Sequence, residues 1–387
     1  MLEGRRLWFV GIGGAGLSSY AFLSRAWGAE VGGWDRVQTP YLRRLDGVRV
    51  EIAPEPVVPE GWEAVVSSAY PGVTGTSRAE FLAELVSLRP SIVVAGAHGK
   101  TTTTGMIAFT LAELGRDPAW LIGGEIAQLG GNAGAGEGWL VVEGDESDRT
   151  VEQLRPEIAV VTNVELDHHS TFSSAAELEE LFARWVANVP HVVRGWEHEP
   201  AALELAVPGE HNRRNAAAAL AALELAGVPR AEAEPVLARF RGAGRRYEVV
   251  GERNGVTVVD DYAHHPSEIE ATVAAARERM NGRVLVLFQP HLYSRTRHLG
   301  RELGAALSTA DAACVTEIYR AREEPVEGVS GKLVVDALGP GVRAGWAPTV
   351  EDGVRLVASW ARPGDLVLTV GAGDVERAGT MILESLR

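Results

Sequence analysis

Short apolar runs alternate along the whole chain with longer stretches in which apolar residues recur every three or four positions. The short runs predict strands and the longer ones amphipathic helices, and their alternation argues for parallel sheets covered by helices. In the first series "RLWFVG" and "AEVGGWD" predict strands around a helix near residues 15–27 that Gly28 closes. "VRVEI" and "EAVVSSA" add two strands, and "AEFLAELVSL" adds a helix before Pro90 punctuates the chain. A second series runs through "SIVVAGA", a helix over 101–114 stopped by Gly115, "WLVVEGD", "IAVVTNV" and a helix ending before Pro190. The stretch "HVVRGWEHEPAALELAVPGE" is weakly patterned and reads as a connection to the Ala-rich helix "NAAAALAALELAG", closed by Gly227. After "RGAGRR" a third series follows: "VTVVDDYA", a helix from Pro266, "RVLVLFQPH", "AACVTEIY" and "DLVLTVGAG" with a closing helix. The expected fold class is α/β, in three α/β domains spanning 1–89, 90–243 and 244–387.

Composition narrows the functional classes. A chain of 387 residues exceeds one ordinary core, and 46% apolar with 23% charged residues is normal for a folded globular protein. A net charge of −15 without a basic block argues against a nucleic-acid partner. An acidic protein that binds a polyphosphate must do so locally, through backbone N–H groups, a few cations and metal. Cys314 is the single cysteine, so a disulfide within the monomer is excluded, and its apolar setting predicts a buried strand residue. No apolar run approaches the roughly 20 residues of a membrane helix, and the first strand begins almost at once, so no membrane insertion and a cytoplasmic location are expected. Lysine occurs only at 100 and 332.

Two glycine loops compete for a nucleotide. Gly11, Gly13 and Gly16 fit G-x-G-x-x-G between a predicted strand and helix, and Asp35 follows nineteen residues beyond Gly16. That spacing suits a tight turn, a pyrophosphate on a helix N-terminus and an acid directed at a ribose. The second loop, "VAGAHGKTTTT" at 94–104, has Val94 where a P-loop has glycine, yet Gly99-Lys100-Thr101 stands between strand and helix. Backbone N–H groups from 97 to 102 can converge on phosphates there, with Lys100 reaching the outer ones and Thr101 a magnesium ion. Four consecutive threonines form helix poorly and are expected to turn hydroxyls and N–H groups toward an anion.

Carboxylates and imidazoles follow two neighbouring strands. "VVEGDESD" places Glu143 at a strand end beside Asp145, Glu146 and Asp148, where ligand sites of parallel sheets lie. "TNVELDHHSTF" does the same for Asp167, His168 and His169. Thr101, Glu143 and His168 are therefore candidate Mg²⁺ ligands. Nothing in the chain suggests a Ser/His/Asp or Cys nucleophile arrangement.

"GAHGKTTTT", "EGDESD", "TNVELDH", "GEHNRRNAAAA", "VVDDYAHHPSEI", "FQPHLYSRT" and "VLTVGAGDV" occur in this order, and nearly end to end the chain resembles the Mur ligases. The resemblance implies a Rossmann-like UDP-binding N-terminal domain, a central ATPase domain with a P-loop-like parallel sheet, and a C-terminal Rossmann-like domain. It implies ATP and Mg²⁺ as cofactors and amide-bond formation from UDP-N-acetylmuramate and L-alanine. The lactyl carboxylate would take the γ-phosphoryl group, and the amine would attack the resulting acyl phosphate. Such chemistry relies on positioning and charge stabilisation. By motif, Gly96, Ala97, His98, Gly99, Lys100, Thr101 and Thr102 would cradle ATP, with Asn212, Asn215, Arg246 and Asp260 or Asp261 at its adenosine side. Gly13, Gly14, Ala15, Gly16, Asp35, Ser67 and Ser68 would face the UDP part. Tyr262, His264, His291 and Arg295 would line the acceptor and amino-acid pocket, with Lys100, His264 and Arg295 as the catalytic groups.

The chain also departs from the family pattern. It is shorter than usual, losing material between "SSAYPG" and "RAEFL" and between Pro190 and "VPGEHN", so a trimmed central sheet is expected. Ser170 stands where an acid is common, and Leu292 where many members carry arginine. The central unit has no lysine besides Lys100, so the carbamylated lysine of some related ligases is ruled out. Two other readings stay open: a recycling ligase that attaches a preformed peptide to UDP-N-acetylmuramate, and an NAD(P)-dependent oxidoreductase resting on the first glycine loop alone.

Overall fold

The computed structural model describes residues 1–167, 171–321 and 323–386. Two compact units emerge: Met1–Glu165 with Ala175–Ala201 and Arg214–Phe240, and Leu166–Ser174 with Ala202–Arg213 and Arg241–Arg387. The first unit contains two sheets. One comprises β1 (Arg6–Val10), β2 (Glu30–Asp35), β3 (Arg49–Ile52), β4 (Glu63–Val66) and β5 (Thr76–Ser77), in the order β3-β2-β1-β4-β5 and parallel throughout. The other comprises β6 (Ser91–Ala95), β7 (Ala119–Leu121), β8 (Ala133–Gly134), β9 (Leu140–Glu143), β10 (Ile158–Val161) and β11 (His191–Arg194), in the order β11-β10-β6-β9-β7-β8. Strands β6 and β10 are buried along their whole length, as the continuous apolar runs require of central parallel strands.

The two sheets of this unit are tied together by side chains. Arg44 donates to Asn132 Oδ1 at 3.0 Å and to the carbonyls of Gly130 and Ala133, and Asn132 donates to Ser19 Oγ at 3.0 Å. The helix Ala15–Ala26, which starts at the first glycine loop, is thereby anchored to the turn after β7.

The second unit holds one sheet, β12 (Glu248–Arg253), β13 (Val256–Asp261), β14 (Val284–Phe288), β15 (Ala312–Val315), β16 (Arg343–Trp346) and β17 (Leu366–Val370). Its order is β12-β13-β17-β14-β15-β16, with apolar cores on both faces. Cys314 lies fully buried in β15, where burial pushes its thiol up to about 12.

Six strands depart from the expected pattern: β5, β7 and β8, of two or three residues each, are too short to carry a periodic signal, and three others differ more fully. β11 falls in the stretch read as a connection; "HVVR" is a short edge strand whose parallel partner β10 is distant in sequence. β12 pairs antiparallel with β13 across Asn254-Gly255, a hairpin turn that the sequence displays and that makes this sheet mixed rather than purely parallel. β16 is a half-buried edge strand without an apolar run to announce it.

Packing around β1 and β2 is tight enough to test. Gly32 pairs with the fully buried Trp8, and a methyl group there would lie 2.6 Å from the indole ring. Gly32→Ala is expected to destabilise the first unit by about 1–3 kcal/mol through overpacking, read as a lowered urea midpoint. A second prediction concerns acid. Burial lowers His211 from 6.5 to about 4, so between those values the unfolded chain binds a proton that the folded chain refuses. Stability contributed by the neutral ring is therefore lost as pH falls below 6.5. His211→Gln is expected to remove about 2 kcal/mol of the acid-induced loss at pH 5, measured as the difference between the two proteins' urea curves.

Candidate active site

The second glycine loop leaves β6 at Ala95 and enters the helix Lys100–Glu113. Gly96 and Gly99 adopt φ of +131° and +79°, and side chains there would collide with Thr162 and Asn215 respectively, so both glycines are obligatory for different neighbours. Two residues after β10 brace the loop. Asn163 Oδ1 accepts from the His98 N–H at 3.0 Å, while the Asn163 amide and the Thr162 hydroxyl donate to the His98 carbonyl at 2.9 and 2.6 Å. Reading the loop alone missed Thr162 and Asn163, although they stand in the quoted "TNVELDH" run.

The four threonines divide by helical geometry. Thr103 and Thr104 are fully buried, and Thr104 Oγ1 donates back to the Lys100 carbonyl at 2.8 Å, so they serve packing rather than an anion. Thr101 Oγ1 instead donates to Glu143 Oε1 at 3.0 Å, and the other Glu143 oxygen accepts from the Gly123 N–H at 2.7 Å. A hydroxyl and a carboxylate oxygen in contact form the hard-oxygen pair that Mg²⁺ requires. His168, the third candidate ligand, lies outside the described residues, as do His169 and Ser170. Asp145 and Asp148 accept from the N–H groups of Ser147 and Thr150 and shape the turn that follows.

Lys100 is folded back on its own loop. Its ammonium donates to the Gly96 carbonyl at 2.6 Å, the Ala97 carbonyl at 3.2 Å and Glu146 Oε1 at 2.9 Å. Burial works against its charge, but Glu146, Glu143 and Asp145 outweigh burial and raise its pKa. Burial pushes the Glu146 carboxyl up to about 7 against the pull of Lys100, with Asp145 adding to the rise. Glu146 is thus a residue of the site that sequence reading named only as a neighbour of Glu143.

In the first glycine loop Asp35 takes backbone partners. One carboxylate oxygen accepts from the Gly13 N–H at 2.8 Å and the other from the Arg36 N–H at 2.7 Å, so Asp35 holds the loop's shape. The helix Ala15–Ala26 starts at Gly14 without a side-chain cap, leaving its first N–H groups available to an anion. Ser67 packs beside Gly11, and Ser68 is exposed. Arg78 lies against Gly16, bonded to Tyr20 and 3.8 Å from Asp148.

The remaining candidates cluster in the second unit. Asp260 is paired with Arg245 at 2.8 Å and accepts from Thr369 Oγ1 at 2.7 Å. Asp261 accepts from the N–H groups of Tyr247 and Ala263, and burial pushes it up to about 6. Both acids brace the strand end, which ribose recognition did not anticipate. Arg246 and Arg245 stack on Tyr262, 5.0 and 5.1 Å from the ring centroid. His264 donates through Nδ1 to the Tyr262 carbonyl at 3.0 Å, and burial lowers it to about 3. Arg295 is buried against Asp167 and touches His291. Asn212 and Asn215, read as one motif, fall in different units; Asn212 donates to the Pro208 carbonyl at 2.7 Å, and Asn215 packs on Gly99.

A phosphate-type loop with a retracted lysine, a Thr–Glu oxygen pair beside it and a His/Arg pocket in a separate α/β unit are features to compare with known proteins. Residues 94–194 match the Mur ligase middle domain, and residues 245–373 match the Mur ligase, glutamate ligase domain. The UDP-N-acetylmuramate–L-alanine ligase of Pelotomaculum thermopropionicum is 36% identical over 99% of this chain and 98% of its own length. That of Streptomyces coelicolor is 40% identical over 98% and 97% respectively. The first alignment runs over 452 positions, more than the 387 residues of the chain, so this relative carries internal segments that are missing here. Among solved structures, the UDP-N-acetylmuramate–alanine ligase of Thermotoga maritima matches with a TM-score of 0.80 at 25% identity, covering 98% of both chains. With likeness of this extent on top of the loop and pocket geometry, the chain belongs to the Mur ligase family.

Proposed function

We propose that the chain joins L-alanine to the lactyl carboxylate of UDP-N-acetylmuramate, converting ATP to ADP and phosphate in the making of a peptidoglycan precursor. The observation that carries this reading is the intact Lys100–Thr101–Glu143 constellation within a chain matched end to end by relatives bearing that activity in their names. A carboxylate oxygen attacks the γ-phosphorus and the bond to ADP breaks. The alanine nitrogen then attacks the acyl carbon, and phosphate leaves with the amine's proton.

Each residue's part follows from its place. The N–H groups at the start of the helix Lys100–Glu113 receive phosphate oxygens, and Lys100 exchanges Glu146 for the transferring group. Thr101 and Glu143 would hold Mg²⁺, with His168 added by sequence alone, and a bound ion would supply neutralisation of phosphoryl charge. Gly13 to Gly16 take the pyrophosphate of the UDP-sugar, on a loop that Asp35 stiffens. Asn215 meets the nucleotide from its position on Gly99, and Tyr262, His264, His291 and Arg295 form the acceptor pocket. We assign a UDP-sugar domain to 1–89, an ATP domain to 90–243 and an acceptor domain to 244–387. Among the described residues no helix is long and apolar enough to cross a membrane. ATP and a UDP-sugar as substrates favour the cytoplasm.

The peptide-attaching alternative differs only in its acceptor. An oxidoreductase reading would leave the Lys100 loop without a task.

Phosphate release measured with UDP-N-acetylmuramate across amino acids and peptides is expected to be fastest with L-alanine; release with a tripeptide and none with alanine would replace this reading by the recycling one. Lys100→Met is expected to lower kcat by about 10²–10³-fold, in line with loss of one charge-stabilising group, and to lower the urea midpoint because Glu146 loses its buried partner. Glu143→Gln is expected to raise the Mg²⁺ concentration for half-maximal turnover by about tenfold or more. An unchanged Mg²⁺ titration would remove Glu143 from the metal shell.

A further inference from the structure

A guanidinium has five N–H donors in a planar fork and no acceptor. In Arg295, Nε and Nη2 donate to Asp167 Oδ1 at 3.1 and 2.9 Å, and Nη2 also reaches Oδ2 at 3.1 Å. Nη1 points at His291 Nδ1 at 3.1 Å and at the His291 carbonyl at 3.4 Å. Arg295 and Asp167 are 5% and 4% exposed, so neither is shared with bulk water. Every donor of Arg295 already has an acceptor within its own unit. The arginine thus holds two of its neighbours, Asp167 and His291, in place.

This arrangement decides the protonation of His291. Because Arg295 can only donate, Nδ1 of His291 must present its lone pair, and the proton of the neutral ring sits on Nε2. The ring plane is set as well, by stacking on Tyr319 at 5.8 Å and 15° and by the pairing of residues 291 and 319. His264, whose ring centroid lies 6.0 Å away, has the opposite tautomer. Its Nδ1 faces the Tyr262 carbonyl at 3.0 Å and the Glu268 carboxylate at 3.5 Å, both acceptors, so Nδ1 carries the proton and Nε2 the lone pair. The two imidazoles of one pocket are thus set as one donor and one acceptor.

We propose that Asp167 and Arg295 are positioning residues that lock His291 as a neutral Nε2–H tautomer, and that His291 donates this hydrogen bond to the oxyanion formed when the amine attacks the acyl phosphate. This rests on the ligase reading above. In that step the C–N bond forms and the carbonyl π-electrons move to oxygen. When they return, the C–O bond to phosphate breaks and the amine's proton departs with the phosphate. His291 keeps its proton throughout, since the guanidinium on its Nδ1 side does not give up its own. A fixed donor aimed at developing charge needs no reorganisation at the moment of reaction.

Nitrogen-15 NMR of the histidine-labelled full chain tests the tautomer without substrate, the His291 signals being assigned by their loss in His291→Gln. An unprotonated Nδ1 and a protonated Nε2 are expected, and the reverse pattern overturns the proposal. Turnover tests the role. His291→Gln places an amide N–H near the former Nε2 and is expected to stay within about tenfold of the parent kcat, whereas His291→Ala should lose about 10²–10³-fold. Equal losses in the two variants would overturn it. Asp167→Asn, which retains a hydrogen-bonding partner for Arg295, is expected to shift His291 toward the Nδ1–H form and to lower kcat with ADP binding unchanged. An unaltered His291 tautomer in that variant would remove Asp167 from the chain of positioning groups. If the parent protein turns over only with a peptide acceptor, the alanine reading fails while the tautomer result stands independently.

Discussion

A buried ammonium without phosphate must find acceptors or surrender its charge, and the way Lys100 meets this demand organises the first unit. Two carbonyls of its own loop and Glu146 supply the acceptors, which obliges the loop to curl around the lysine and obliges Glu146 to lie beneath it. Curling requires positive φ at Gly96 and Gly99, and the space those glycines vacate is filled by Thr162 and Asn215. Strand β10 must end where Thr162 and Asn163 can brace the His98 carbonyl. One charge thus constrains a loop, a strand end and a helix start at once.

Carboxylates elsewhere repeat this economy on a smaller scale. Asp35 accepts from the Gly13 N–H, Asp261 from the N–H groups of Tyr247 and Ala263, and Asp167 from Nε and Nη2 of Arg295. Each terminates a strand or follows one, where backbone N–H groups lose their sheet partners and need an acceptor. An acid at a strand's carboxyl end can therefore serve the scaffold and stand beside a ligand position simultaneously. The structural part is visible in the protein alone. The ligand-facing part belongs to the chemistry of the assembled site.

Much of the architecture was legible from periodicity. Central strands such as β14 and β17 are continuous apolar runs because both faces are covered, and such runs announce themselves. The edge strands β11 and β16 were not legible, since half-buried edges carry mixed residues and their partners lie far along the chain. β12 was legible in principle: Asn254-Gly255 between two β-branched segments is a strong hairpin signal that a search for parallel units passed over. At the site, Lys100, Thr101 and Glu143 could be nominated by residue type and spacing, and Thr101 and Glu143 lie in contact. The roles of Thr162, Asn163, Glu146 and Asp167 could not, because they arise from contacts across 46 or more positions of sequence.

By itself the sequence determined the α/β alternation, the two glycine loops with Lys100 in the second, and the family. Local rules suffice for these, since helix and strand periods, turn residues and loop spacings act over a few positions. Only the tertiary structure decided which protein partners the charged groups take: Glu146 for Lys100, the Gly13 N–H for Asp35, Asp167 for Arg295. The reason is desolvation. Burial makes an unpartnered charge so costly that the nearest acceptor or donor in space is taken, and nearness in space is a property of the fold.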